Sequence, residues 1–318
     1  SVIWVGTGEG NPRNSLNGGF GVYKSLDGGK SWKSMGLEKT RHIHRIKIDP
    51  SDPNTVYVGA IGSPWGEHPE RGVFKTTDGG ETWEKILFVN NKTGVADMVM
   101  DPTNPNKLIV AMWEHKRDPW FFNSGGKGSG MYMTHDGGKN WIDWSSKLDN
   151  SNRLHINGIT MVGPRSLIIV GEQGLILRSD DMGNSWSSLP SPYDGSYFGV
   201  TAVDDNVLVF GLRGNLYHST DGGIEWQKVK TQSEQTLMAG ITKSDKTLAL
   251  VGNGGSVILL NRRSENPKSI ILPSRINSAA VVQAPDGNLV IVGEGGAVRL
   301  TANGKLIEEN IAMAKEEF

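Results

Sequence analysis

Ser25-Leu26-Asp27-Gly28-Gly29-Lys30-Ser31-Trp32 returns four more times along the chain, as Thr76-Thr77-Asp78-Gly79-Gly80-Glu81-Thr82-Trp83, Thr134-His135-Asp136-Gly137-Gly138-Lys139-Asn140-Trp141, Ser179-Asp180-Asp181-Met182-Gly183-Asn184-Ser185-Trp186 and Ser219-Thr220-Asp221-Gly222-Gly223-Ile224-Glu225-Trp226. Each position has a physical reading. An Asp that opens a turn can fold its carboxylate onto the backbone N–H groups that follow, and Gly accepts the positive φ such a turn needs. The Ser or Thr two residues earlier adds a hydroxyl, and the Trp five residues later starts the next strand with a large buried surface. Each copy is therefore a self-braced corner between two strands, and corners recurring at this period mean stacked supersecondary units.

The pattern S/T-x-D-x-G-x-x-W resembles the Asp-box, or bacterial neuraminidase repeat, of sialidases, sortilin-type domains, xyloglucan hydrolases and the propellers related to photosystem II assembly factors. What the resemblance implies is a structural corner lying away from the ligand-binding face. Asp27, Asp78, Asp136, Asp181 and Asp221 are accordingly expected to be structural.

A second signal sets the number of units. The apolar runs Leu167-Ile168-Ile169-Val170, Val207-Leu208-Val209-Phe210, Leu248-Ala249-Leu250-Val251 and Leu289-Val290-Ile291-Val292 lie 40 or 41 residues apart, and such continuous runs read as strands buried on both faces. Val2 to Gly6, Thr55 to Gly59 and Lys107 to Ala111 take the same place upstream. Seven such strands mean seven units, each reading as four strands; in the second these are His44 to Ile48, Thr55 to Gly59, Gly72 to Thr76 and Trp83 to Phe88. The expected fold is all-β, one seven-bladed β-propeller of four-stranded antiparallel blades spanning residues 1–318. The last two units have lost the corner motif, so there the strand period alone carries the count. The first unit has no inner strand ahead of Val2, and an open edge invites association. Leu306 to Glu309 is expected to finish the seventh unit and Ile311-Ala312-Met313-Ala314 to supply the missing inner strand.

Composition narrows the function. The 33 basic and 34 acidic residues leave a net charge of −1, so no basic field exists to attract nucleic acid. No apolar run approaches the roughly 18 residues of a membrane span. There is no cysteine, which excludes thiolate and disulfide chemistry. The resembled families are often exported, so a secreted or periplasmic parent is the expectation, and a monomer.

Two styles of blade share the chain. Asp49-Pro50-Ser51-Asp52-Pro53-Asn54 and Asp101-Pro102-Thr103-Asn104-Pro105-Asn106 have no counterpart after residue 150, and eight of the ten Trp residues precede it. Conversely, the hinges Gly171-Glu172-Gln173-Gly174, Gly211-Leu212-Arg213-Gly214, Gly252-Asn253-Gly254-Gly255 and Gly293-Glu294-Gly295-Gly296 occur only later. Through Gly6-Thr7-Gly8-Glu9, Glu70-Arg71-Gly72-Val73-Phe74-Lys75 and Gly125 to Tyr132, residues 1–145 resemble bacterial sortilin-like and glycosyl-hydrolase-like propellers. Residues from about 153 onward resemble photosystem II assembly-factor-like propellers with short, uniform blades. The division is then long-loop blades at 1–145 and short-loop blades at 146–318. Either blades of one protein have drifted, or two half-propellers have been joined near 141–153.

Chemistry belongs on the face opposite the Asp-box corners, where the first three units insert Gly8 to Gly19, Ile61 to Arg71 and Trp113 to Gly130. Loops longer than their neighbours carry function more often than average. The ligand-binding candidates are Glu9, Arg13, Trp65, Arg71, Trp113, Glu114 and Trp120, a mixture of aromatic and charged groups that suits sugars but also suits simply pinning loops down. A second ring, His42, His44, Asp97, His155 and Asn157, opens the innermost strands. Asp97 stands out, because a carboxylate at a channel mouth can be desolvated; alternatively it hydrogen-bonds the neighbouring inner strand. His42 and His44 have no third ligand at a fixed spacing, so no metal is expected, and no cofactor motif occurs. Glycoside hydrolysis would need two carboxyl groups about 5–9.5 Å apart, and the sialidase version lacks its Arg-Ile-Pro segment here. The sequence therefore favours a non-catalytic binding or scaffold propeller taking a protein, peptide or glycan on the long-loop face. A secreted glycoside hydrolase-like protein acting on a polysaccharide is the alternative.

Overall fold

A computed structural model describes residues 2–10 and 17–307. Arg13, and the Ile311 to Ala314 segment expected to close the ring, lie outside the described residues. Seven antiparallel sheets follow one another along the chain, giving a seven-bladed β-propeller, and among the described residues the only helical elements are short 3₁₀ turns. The second blade runs Ile43–Ile48, Val56–Ala60, Gly72–Thr76 and Glu84–Leu87, within a residue or so of the strands expected from periodicity.

Contacts divide the chain into two compact units, one of Trp4–Lys24 and Lys33–Ile159, the other of the Ser25–Trp32 turn and the chain from Thr160 onward. The first holds the long-loop blades. Its core is Trp4, Val22, Met35, Ile43, Val56, Val58 and Phe74 under one blade pair and Tyr57, Val73, Leu87, Val95, Met98, Leu108 and Val110 under the next. Here Trp83 of the second Asp-box packs edge-on against Trp4, 6.3 Å away, and its ring N–H donates to the Met35 carbonyl at 2.7 Å. The third sheet departs from the four-strand plan. Its second strand, Asn104–Arg117, runs on for 14 residues and pairs beyond the blade with Phe122–Ser124, making a five-stranded sheet.

The second unit repeats a tighter blade. Ser166–Gly171, Asn206–Gly211 and Leu248–Gly252 are central strands with nearly every residue buried, as continuous apolar runs require. The hinge after each closes as a 3₁₀ turn with two consecutive residues at positive φ: Gln173 and Gly174, Arg213 and Gly214, Gly254 and Gly255. In the last blade Leu306 bridges Leu300 and Ile307 N–H donates to Arg299 O at 3.0 Å, so the described part of the expected fourth strand is in place.

The corner motif is built as its residues dictate. In the second copy Thr76 Oγ1 donates to Asp78 Oδ1 (2.6 Å) and accepts from Gly80 N–H (3.0 Å), while Asp78 accepts from the N–H and the hydroxyl of Thr82 (3.0 and 2.6 Å). Gly79 and Gly80 take φ of 75° and 100°, which a side chain would resist. These bonds, first the Thr76 hydroxyl, hold the Asp78 carboxyl well below its usual range. Asp136 and Asp181 are drawn down to about 2, led by Asn140 and Ser185 side chains respectively. The indoles divide: Trp83 and Trp186 find carbonyls, whereas the buried ring N–H groups of Trp32, Trp141 and Trp226 have no acceptor among the described residues. For those three, packing outweighs the lost hydrogen bond.

Among the described residues the inner strands of five blades carry a register shift near their start, between Ile43 and Arg45, Val95 and Asp97, Tyr197 and Gly199, Leu237 and Ala239, and Ser278 and Ala280. Each leaves one extra residue opposite the partner strand, the signature of a β-bulge.

Candidate functional site

The long loops of the first three blades are braced mainly by their own polar groups. Glu9 is tied at three points: its N–H donates to Asn17 O (3.1 Å), its carboxylate accepts from Asn17 N–H (3.2 Å), and its carbonyl meets His42 Nδ1 (3.0 Å). Arg71 is fully buried, and its guanidinium donates to the carbonyls of Lys92 (2.6 Å), Ser63 (2.7 Å) and Gly66 (3.2 Å) beside the His115 ring. Burial lowers its pKa to about 10. Arg71 thus clamps the Ile61 to Arg71 loop onto the third blade, which leaves Trp65 at the surface, 49% exposed.

The third loop rises as the Arg117/Phe122 hairpin. Its base is dense: Trp113 is buried, stacks on His115 at 4.3 Å, meets His155 edge-on at 3.7 Å and donates its ring N–H to Ser124 Oγ at 3.2 Å. Glu114 takes the Gly128 N–H on its carboxylate (2.8 Å), fixing the returning glycine-rich stretch. The tip is bare, with Trp120 93% exposed. A bond from Arg117 N–H to Pro64 O (2.7 Å) ties this hairpin to the loop that carries Trp65.

Asp97 does what the second sequence reading expected. It is buried, with Oδ1 accepting from Arg45 Nε (2.5 Å) and from Met98 N–H (2.8 Å), and Oδ2 accepting from Ile159 N–H (2.8 Å) on the next inner strand. A carboxylate with three donors is a brace between strands. The surrounding histidines are held neutral by burial: His42 is lowered to about 4, His115 and His155 to about 3, and His44 well below the usual range. Among the described residues no group of three or more acidic or imidazole side chains is arranged to hold a metal.

One open groove of about 530 Å³ lies on this unit, lined by Phe20, Glu38, Lys39, Arg41, His68, Pro69 and Glu70. Of these His68, Pro69 and Glu70 belong to the long loop Ile61 to Arg71 singled out in the sequence; Phe20, Glu38, Lys39 and Arg41 do not. The signal available was slight: an aromatic after the Gly18-Gly19 pair and two bases just ahead of an inner strand.

Comparison with known proteins gives two overlapping family matches. Residues 21–155 match the family model of sortilin, neurotensin receptor 3, and residues 102–314 match that of the photosynthesis system II assembly factor YCF48. A photosystem II assembly lipoprotein Ycf48 from Synechococcus sp. (strain CC9902) is 25% identical over 182 residues, 55% of this chain and 54% of that protein. The chain thus spans about half the length of that curated relative. Among solved structures, the GH74 xyloglucanase from Xanthomonas campestris aligns with a TM-score of 0.65 at 13% identity, covering 94% of this chain and 53% of that one. A structure described as YCF48 bound to D1 peptide aligns at 0.50 and 19% identity, covering 68% and 67%. At such identities the structural likeness speaks for the fold alone. Since the match at residues 102–314 covers well over half of the sequence, the chain belongs to the photosynthesis system II assembly factor YCF48 family.

Proposed function

We propose that the chain is a non-catalytic binding propeller that takes an extended peptide or protein segment on the long loops of its first three blades. The observation that carries this is the state of Asp97, the buried carboxylate best placed for chemistry by sequence: both its oxygens are engaged, Oδ1 by Arg45 and Met98 and Oδ2 by Ile159, as a brace within the protein. A general acid or nucleophile needs a proton to give or a lone pair facing substrate. The relative called an assembly lipoprotein, and the peptide-bound solved relative, support the same reading. The change of phrase at 141–153 falls inside the overlap of the two family matches, and it is what the joining of two half-propellers would leave.

A second reading rests on Trp65 and Trp120, whose exposed indoles suit stacking on sugar rings. One experiment separates the two. The protein is incubated with a polysaccharide panel including xyloglucan and assayed for new reducing ends, and in parallel is screened against arrayed peptides. Peptide binding without turnover is expected. Reproducible glycan cleavage, lost in Asp97→Asn at unchanged melting temperature, would establish the hydrolase instead.

A further inference from the structure

The groove beside the first two blades combines features that its role as a surface depression does not require. The 3₁₀ turn Glu38–Thr40 is flanked by Leu37 at φ 61° and Arg41 at φ 62°. Two non-glycine residues held at positive φ on either side of one short turn, Leu37 left-handed and Arg41 outside that region at ψ −38°, are strained, and such strain gathers where geometry serves a purpose. The effect here is to set the Arg41 guanidinium between the Gly18 backbone and the Phe20 ring. A Cβ built at Gly18 would stand 2.8 Å from Arg41 Nη2, and the guanidinium carbon lies 5.7 Å from the Phe20 centroid.

Charge completes the picture. The groove's two acids are engaged locally, Glu70 with Lys85 at 3.7 Å and Glu38 with the Ser34 hydroxyl at 3.4 Å. Arg41 and Lys39 have no carboxylate partner among the described residues, although both are exposed on the groove wall. A pre-placed guanidinium fork with its acceptor missing, next to a 60% exposed phenyl ring, is complementary to a carboxylate carried beside an apolar group. The groove also lies wholly outside residues 102–314, the segment that matches the assembly-factor family.

We propose that this groove is a carboxylate-recognition site: Arg41 and Lys39 bind the carboxylate of a peptide, from an acidic side chain or the chain end, while Phe20 packs its neighbouring apolar side chain. This rests on the peptide-binding reading above and assigns its anchor point.

The test is fluorescence anisotropy with one labelled library of apolar-rich octapeptides in four forms: free or amidated C-terminus, each with Asp and Glu present or replaced by Asn and Gln. Forms bearing a carboxylate bind at least about tenfold more tightly than the neutral form, and Arg41→Gln removes that advantage. Lys39→Gln, on the exposed turn, reduces it without touching the strained position, and melting temperatures check both folds. Loss on amidation alone identifies a chain end, and loss on Asp and Glu replacement alone an acidic side chain; either supports the site. Peptides that bind equally well in all four forms, or that ignore both substitutions in folded protein, overturn the site and leave the peptide-binding reading standing. Failure of every form to bind overturns both.

Discussion

The hydroxyl that opens each Asp-box corner should matter more than its conspicuous aspartate, and Thr134 is where this can be measured. Its side chain is completely buried. Oγ1 donates to Asp136 Oδ1 (2.8 Å) and accepts from the N–H groups of Gly138 (3.0 Å) and Asp136 (3.3 Å). Thr134→Val keeps shape and methyl packing but strands the buried Gly138 amide, a loss of about 1–3 kcal/mol. Thr134→Ser does the reverse, keeping the hydroxyl and losing one buried methyl, on the order of 1 kcal/mol. Ser already fills this position at Ser25, Ser179 and Ser219. Urea unfolding followed by Trp fluorescence, with midpoints compared at constant slope, should rank wild type above Ser and Ser above Val. A Val variant as stable as wild type, or more stable than Ser, would refute the hydroxyl's role and assign the position to packing.

Acid should act in two stages. His42, His115 and His155 titrate near 6.5 when unfolded but at about 4, 3 and 3 in the fold, so the unfolded chain binds more protons between those values. Their contribution is complete above about pH 6.5 and is lost as pH falls, at about 1.4 kcal/mol per pH unit for each histidine. The Asp-box carboxyls, lowered instead from 3.8, add a loss only below pH 4; urea midpoints flat from pH 7 to 4.5 would contradict the histidine assignment. Arg71→Met should strand the Lys92 and Ser63 carbonyls, about 1–3 kcal/mol each, and open the Ile61 to Arg71 loop to limited proteolysis; an unchanged cleavage pattern would show the clamp unimportant. Trp120→Ala should leave the melting temperature within about a degree, since an exposed tip contributes little, and a large drop would mean the tip is packed.

The fold was legible because its signals are periodic. A recurring buried central strand, every 40 or 41 residues from Leu167 onward, and a turn that only Asp, Gly and a hydroxyl can build together leave few alternatives. The site was less legible, for reasons visible in single residues. Arg71 and Trp120 read alike in sequence, a polar or aromatic residue in a long loop, yet one is sealed under carbonyls and the other stands in solvent. Burial of a loop residue depends on what folds over it. Arg41 escaped notice because its interest lies in a backbone angle and in a missing partner, and neither has a residue-type signature.

The bulge repeated near the start of five inner strands has an evolutionary consequence. The extra residue there stands outside the one-to-one strand register, so its identity is released from the pairing rules that constrain its neighbours. The chain has used that licence: the position is His44, Ala96, Phe198, Met238 and Ala279 in successive examples. Imidazole, methyl, phenyl and thioether exchange there without shifting a strand's register. Selection, or a designer, can thus rewrite the chemistry at these five points one blade at a time while the frame that holds them stays constant.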